Sequence, residues 1–275
     1  MSAADHCVSY QNHVYLEGFS ENQKELYAFD LEKEALIKGT KPLSEFSVSV
    51  PDFAVPLLTR FEETYSLYRK KLVTKAGFEE NYGTNCLLDK EEKEFWYVWL
   101  LLQLLCNEDM LRLAEHTAQE LYGDTPAVIA KVSNPHLAVC MELVTDPLQQ
   151  NILLVLYNLL FDMKLVVGAD KSLCLMTCDN PVHTYQHDDG MRGIDGFSCA
   201  LTSSVVLFAL KKNVKDMFNM ESLFALYSEM VTQLNQNVIV GGQQLLYSET
   251  AFDQEDLAFI KKVRKLHRRE NRENN

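Results

Sequence analysis

The spacing of apolar positions changes twice along this chain, and each change predicts a different kind of element. Over the first fifty residues the apolar runs are short and separated by turn formers, which predicts strands. Glu25–Asp30 and Glu34–Lys38 flank Leu31-Glu-Lys33, a connection of hairpin type, and Gly39 and Pro42 then break the chain. From Asp52 the period becomes helical, with Phe53, Leu57, Leu58, Phe61, Tyr65, Leu67, Tyr68 and Leu72 at helical spacing. Pro56 falls in the first turns, where proline is tolerated, and Gly77 or Gly83 ends the element. Asp89-Lys-Glu-Glu92 has the capping-box pattern, and from it the chain keeps helical character to Leu121, with Gly123 as the stop. Phe95 to Cys106 is apolar on nearly every side, which predicts a helix at the centre of a core; beyond Asn107 the pattern turns amphipathic. Asp146-Pro147 opens a second buried helix whose body is Ile152–Phe161.

The second change comes near residue 163. Lys164–Gly168 and Ser172–Thr177 surround Ala169-Asp-Lys171 and read as another hairpin, closed by Asp179-Asn-Pro181. A loop with Gly190, Gly193 and Gly196 leads to a strand at Val205–Leu210. A helix is expected from about Met220 to Val238, and a short strand at Gln243–Tyr247 after Gly241-Gly242. Asp253-Gln-Glu-Asp256 opens the last helix. No internal repeat and no Pro/Gly/Ser-rich linker divides the chain. The economical reading is one α+β domain over residues 1–260, its buried helices packed with a small, mainly antiparallel sheet, followed by a basic helix end at 261–275. A split near residue 163, into a helical and a strand-rich half, is the alternative.

Composition narrows the functional classes. Among 275 residues 47% are apolar and 24% charged, which excludes wholesale disorder. The longest apolar stretch, Phe95–Cys106, falls short of the ~20 residues that a bilayer span requires. The opening residues Met1–His6 lack the features of a secretory signal, and seven cysteines in apolar surroundings read as free thiols, so a cytoplasmic, membrane-free protein is expected. The net charge of −13 hides an asymmetry. Residues 261–275 carry seven basic and two acidic side chains, a net +5, whereas the first 260 residues carry a net −18. Nucleic acid is therefore expected to meet only the basic tail, because phosphate affinity comes mainly from Lys and Arg.

Candidate chemistry is sparse. Cys174, Cys178, His183 and His187 are all zinc-ligand types at roughly zinc-knuckle spacing, but Cys174 lies in an apolar run and no second Cys pair closes the set. The expectation is no metal: a buried thiol and loop histidines. Asp179-Asn180-Pro181 at a strand end is more telling, since a strand terminus can project a carboxylate and an amide into a cleft, with Thr177 on the same face. The local alternative is an Asx turn before proline. The glycine loop lacks the Lys-Ser/Thr of a phosphate loop, and no Gly-x-Ser-x-Gly elbow or His-Glu-x-x-His helix occurs. His116, on a helix, and His136, in a loop after Pro135, are expected to be solvated.

The order of these motifs resembles the mainly microbial family called domain of unknown function 4238. Tyr15-Leu-Glu-Gly-Phe19 and Tyr27-Ala-Phe-Asp30 are similar to its aromatic-Leu-x-x-Phe and Tyr-x-Tyr-Asp segments. Thr177-Cys-Asp-Asn-Pro-Val182 is similar to its Thr/Ser-Ser-Asp-Asn-Pro motif, and Val205–Leu210, Asn235 and Leu246-Tyr-Ser248 follow in the same order. The chain departs from that pattern with Ser9 in a proline position, Cys178 in a serine position, and Cys106-Asn-Glu108 where the central helix normally ends in arginine. The family brings no established activity and no known cofactor. What the resemblance implies is that Asp179 holds a family-defining place, as a site or as a structural corner.

Two functions follow as expectations. One is a binding domain for a protein or small molecule, with the Asp-Asn-Pro turn as a corner. The other is a metal-dependent hydrolase or nuclease acting on a phosphate ester. In that case Asp179 and His6 (or His13) would be catalytic, and Thr177, Asn180 and Arg112 would bind.

Overall fold

A computed structural model describes residues 7–10, 15–16, 19, 25–42, 47–78, 81–82, 87–123, 125, 133–170, 175–185, 196–211 and 223–273. The helical part begins where the sequence places it. Helix α1 (Ala54–Ala76) carries Pro56 in its first turn and buries Leu57, Leu58, Phe61, Tyr65, Tyr68 and Leu72; Leu67 faces outward. Helix α2 (Lys90–Leu104) starts on the full capping box, Asp89 accepting from the Glu92 N–H while the Glu92 carboxylate accepts from the Asp89 N–H. It is buried almost all round: Trp99 stacks on Tyr65 at 3.9 Å between ring centroids, and Phe95 on Tyr68 at 4.7 Å. Lys75 pairs with the buried Glu92 at 2.7 Å and ties the end of α1 to the start of α2.

The expected continuous helix to Leu121 is in fact two. After Leu104 the chain turns, and the Asn107 side chain accepts from Met110 N–H to start α3 (Glu108–Tyr122) afresh. A helix that sequence reasoning placed in a loop follows: α4 (Pro135–Leu143), capped by Asn134, whose side-chain Oδ1 accepts from His136 and Leu137 N–H. His136 is therefore not a solvated loop residue. It lies half-buried on the rings of Phe61 and Phe95, and burial lowers its pKa. His116 is solvent-exposed as expected. Asp146 caps α5 (Pro147–Phe161), which packs against both α2 and α3.

The strands are β1 (Cys7–Tyr10), β2 (Glu25–Asp30), β3 (Ala35–Pro42), β4 (Val48–Pro51), β5 (Met163–Ala169), β6 (Thr177–Cys178), β7 (Val182–Tyr185), β8 (Gly196–Ala200), β9 (Val205–Lys211), β10 (Leu223–Ala225) and β11 (Leu245–Ser248). The first expected hairpin forms as β2–β3, but Gly39 does not break it. At φ +70° it lets β3 bulge opposite Ala28 and run on to Pro42. Among the described residues the second expected hairpin does not form, and its Lys171–Cys174 part lies outside them. Strand β5 pairs with β9 and, in parallel, with β10, in a sheet of order β10-β5-β9-β8-β7. Strand β6 belongs to another sheet, of order β3-β2-β11-β6, where Thr177 pairs with Tyr247. Residues 223–225, expected as helix, form the parallel edge strand β10, and α6 (Ser228–Gly241) starts only after it. Helix α7 (Gln254–Glu273) opens on Asp253 and carries the basic residues through its last turns.

The result is a single α+β domain with mainly antiparallel sheets, of which there are two larger ones rather than one. Its principal core runs from Tyr15 to Tyr247 across the helices and the five-stranded sheet, so no divide falls at residue 163. A smaller cluster, including Phe29, Leu31, Cys178, Ile239, Leu246 and Ile260, packs α6 and α7 on the four-stranded sheet.

Candidate functional site

Asp179, Asn180 and Pro181 form the step by which the chain leaves β6 in one sheet and enters β7 in the other. Proline cannot donate to a ladder and restricts the residue before it, which is why the pairing changes there. Each side chain around the step has a defined role. Thr177 turns inward, where its hydroxyl meets Tyr15 Oη at 2.7 Å while Tyr15 donates to the Ala200 carbonyl at 2.6 Å. Asp179 turns the other way: Oδ1 accepts from Gln243 N–H at 2.9 Å, and Oδ2 from Gln244 N–H at 2.6 Å and Leu245 N–H at 3.4 Å. The carboxylate thus clasps the backbone between α6 and β11. Desolvation raises its pKa above the usual carboxylate value, with the backbone donors pulling the other way. The Asn180 amide donates to the Gly241 carbonyl at 3.5 Å, and its Oδ1 is buried without a partner.

Cys178 and His183 meet beneath this step, Sγ to Nε2 at 3.5 Å, and the thiol also approaches the Asn180 carbonyl at 3.0 Å. Burial pushes the thiol pKa well up and the imidazole down to about 4. At neutral pH the pair is a thiol beside an uncharged ring, the reverse of the thiolate–imidazolium that nucleophilic chemistry uses. Cys174 and His187, the other half of the zinc-type quartet, lie outside the described residues. Among the described residues no three His, Cys, Asp or Glu side chains converge as metal ligands do.

Of the predicted site residues, the structure brings Thr177, Asp179 and Asn180 onto one step. Arg112 belongs to a different neighbourhood: on α3 it pairs with Glu108 at 2.6 Å, and its charge acts on the Cys7 thiol of β1. His6 and His13 lie outside the described residues. Sequence reasoning missed the other side of the clasp. A Cβ at Gly241 would sit 2.3 Å from His183 Nδ1, and one at Gly242 would sit 2.8 Å from Leu31 Cδ1. The Gly241-Gly242 pair, read only as a helix stop, is what lets the step lie directly on the end of α6. Asn235 adds a second clasp, its Oδ1 accepting from Met176 N–H at 2.9 Å.

A second feature has no motif at all. Helix α5 was expected to be a buried helix, but Leu159 and Phe161 are exposed, and Leu159 borders an apolar groove of about 320 Å3 together with Leu113 and Leu121 of α3. Its signal in the sequence is an excess: Ile152–Phe161 is apolar on more sides than its neighbours α2 and α3 cover. Among the described residues no helix is long and apolar enough to cross a membrane. Comparison with known proteins finds no matching family model, curated protein or solved structure.

Proposed function

We propose that the chain is a cytoplasmic binding domain of the domain of unknown function 4238 type, in which the Asp-Asn-Pro step is a structural joint. The observation that carries this reading is the engagement of Asp179. A catalytic carboxylate must reach its substrate, whereas Asp179 is 8% exposed and both its oxygens accept from the backbone of residues 243–245. The apolar groove between α3 and α5 supplies a surface for a partner. Among the described residues Cys106, Cys140, Cys178 and Cys199 are buried thiols outside any disulfide, which fits a reducing compartment. The order of motifs around Asp179 supports the family.

The test compares wild type with Asp179→Asn, an isosteric change, on DNA, RNA and nucleotides with and without Mg²⁺ or Mn²⁺. The expected result is the same product pattern for both, with a lower melting temperature for the variant. Turnover that Asp179→Asn abolishes at unchanged melting temperature would replace this reading with the hydrolase. Nucleic-acid contact is assigned to the exposed Lys261, Lys262 and Lys265 of α7. Changing the three to serine removes any such binding without touching Asp179.

A further inference from the structure

We infer that the groove between α3 and α5 receives an amphipathic helix of a partner protein whose apolar stripe is flanked by lysine or arginine. The inference rests on the reading of this chain as a binding domain and names the partner's chemistry. The groove is walled by Met110, Leu113 and Leu121 of α3 and by Val155, Leu156 and Leu159 of α5. Leu113 is 53% and Leu121 65% exposed, so these side chains are in water rather than in the core. From Met110 to Leu121 the wall extends about 16 Å at 1.5 Å per residue, the length of three turns of a helix lying alongside. Anchors at i, i+3 or i+4, and i+7 of such a helix match an apolar trough of that length.

The charges around the trough select the partner. None of the groove's lining residues is charged. Helix α3 carries Glu108, Asp109, Glu115 and Glu120 against a single Arg112, which Glu108 already pairs. Asp109, Leu113, His116 and Glu120 follow one another at i, i+4, i+7 and i+11, so two carboxylates, Asp109 and Glu120, stand along the lip of the apolar wall, with His116 beside Glu120 at 3.3 Å. Helix α5 has no charged side chain and ends at Asp162. An acidic lip on an apolar trough attracts a basic-flanked helix, and it repels both an anionic membrane surface and a second copy of this chain docked face to face. The chain's own basic helix is a poor occupant, because beyond its buried Ile260 and Val263 the Lys261–Arg269 stretch offers the groove only Leu266.

The test uses two labelled peptides of about fourteen residues with leucine at helical spacing, one with lysine and one with glutamate at every other position. Binding is followed by fluorescence anisotropy at physiological ionic strength, where screening over about 8 Å confines charge effects to the lip. The lysine peptide is expected to bind, and the glutamate peptide about tenfold or more weakly. L113Q/L121Q/L159Q should weaken the lysine peptide about tenfold or more, since three exposed anchors are lost. D109N/E120Q should weaken the lysine peptide and strengthen the glutamate peptide, narrowing the ratio between them; it removes no packing, so it serves even if the triple variant misfolds. L36Q, at an exposed leucine on β3, should change nothing. Equal binding of the two peptides overturns the inference, as does unchanged affinity in L113Q/L121Q/L159Q, which would reveal only the pull of an acidic body. Wild type that sediments as a dimer and becomes monomeric in the triple variant would assign the groove to a second copy. None of these outcomes depends on Asp179, so loss of the hydrolytic comparison and loss of the peptide result are separate failures.

Discussion

The step around Asp179 and the groove between α3 and α5 are opposites. At the step, groups with obvious chemistry are turned inward and used up: a carboxylate on three backbone donors, a threonine on a tyrosine, a thiol beside a neutral imidazole. In the groove, side chains with no chemistry of their own are left in water, open to a partner. A motif therefore marks where the fold is hardest to build, and a surface without a motif marks where something else can attach. The comparison predicts that substitutions at the step cost stability, and that substitutions in the groove cost almost none.

The largest effect is expected from Asp179→Ala. It removes the shared acceptor of the Gln243, Gln244 and Leu245 N–H groups at a part-buried corner, and the loss of these charge-assisted hydrogen bonds is expected to cost about 3 kcal/mol in chemical denaturation. A loss under about 0.5 kcal/mol would mean that water replaces the carboxylate, and the step would no longer contrast with the groove.

Acid should act on the same place through His183. Burial lowers its pKa from the ordinary imidazole value of 6.5 to about 4 in the folded chain. The folded state favours the uncharged ring, so this contribution is fully present above pH 6.5 and is lost as pH falls from 6.5 towards 4. The shift corresponds to about 3 kcal/mol. Asp179 has the opposite sign: its raised pKa makes stability fall as pH rises from 3.8 through the folded value. Comparing wild type with His183→Gln across that window cancels the Asp179 contribution, and the variant's stability should depend less steeply on pH. Parallel curves would place the ring in contact with water.

Gly241→Ala comes next, at about 2 kcal/mol, because its Cβ would lie 2.3 Å from His183 Nδ1 and the buried ring has little room to move. The double variant with His183→Ala should recover part of that loss; full additivity would show that the ring is not what the methyl meets.

These contacts also show how far the sequence could be read. Helix starts were legible because their signals are local: Asp89 with Glu92, Asp146 with Pro147 and Asp253 with Asp256 each lie within one turn of the backbone they cap. Strand pairing beyond residue 163 was not, because its determinants are distant. Thr177 pairs with Tyr247, Met176 is held by Asn235, and Leu223 runs parallel to Val167. A short apolar segment such as Leu223-Phe-Ala225 fits helix or strand equally until that partner is known. The Asp-Asn-Pro motif stood out as a special place, yet its purpose depended on a backbone 64 to 66 residues away. The groove was hidden for the opposite reason: leucines that line a surface and leucines that fill a core read alike.

The smallest effect is the one that isolates the groove. Leu121→Gln removes an apolar side chain that is 65% exposed, so little burial is lost on folding, and the helix propensities of leucine and glutamine are close. The expected change in stability is within about 0.5 kcal/mol of zero, the range of surface substitutions remote from caps and cores. If the groove is open to a partner, the change should be silent in a melt of the isolated protein and visible only in a binding measurement. A loss of about 2 kcal/mol or more would instead reveal that Leu121 is covered within the chain itself, by segments outside the described residues. The groove would then be a second interior, and the contrast with the Asp179 step would disappear.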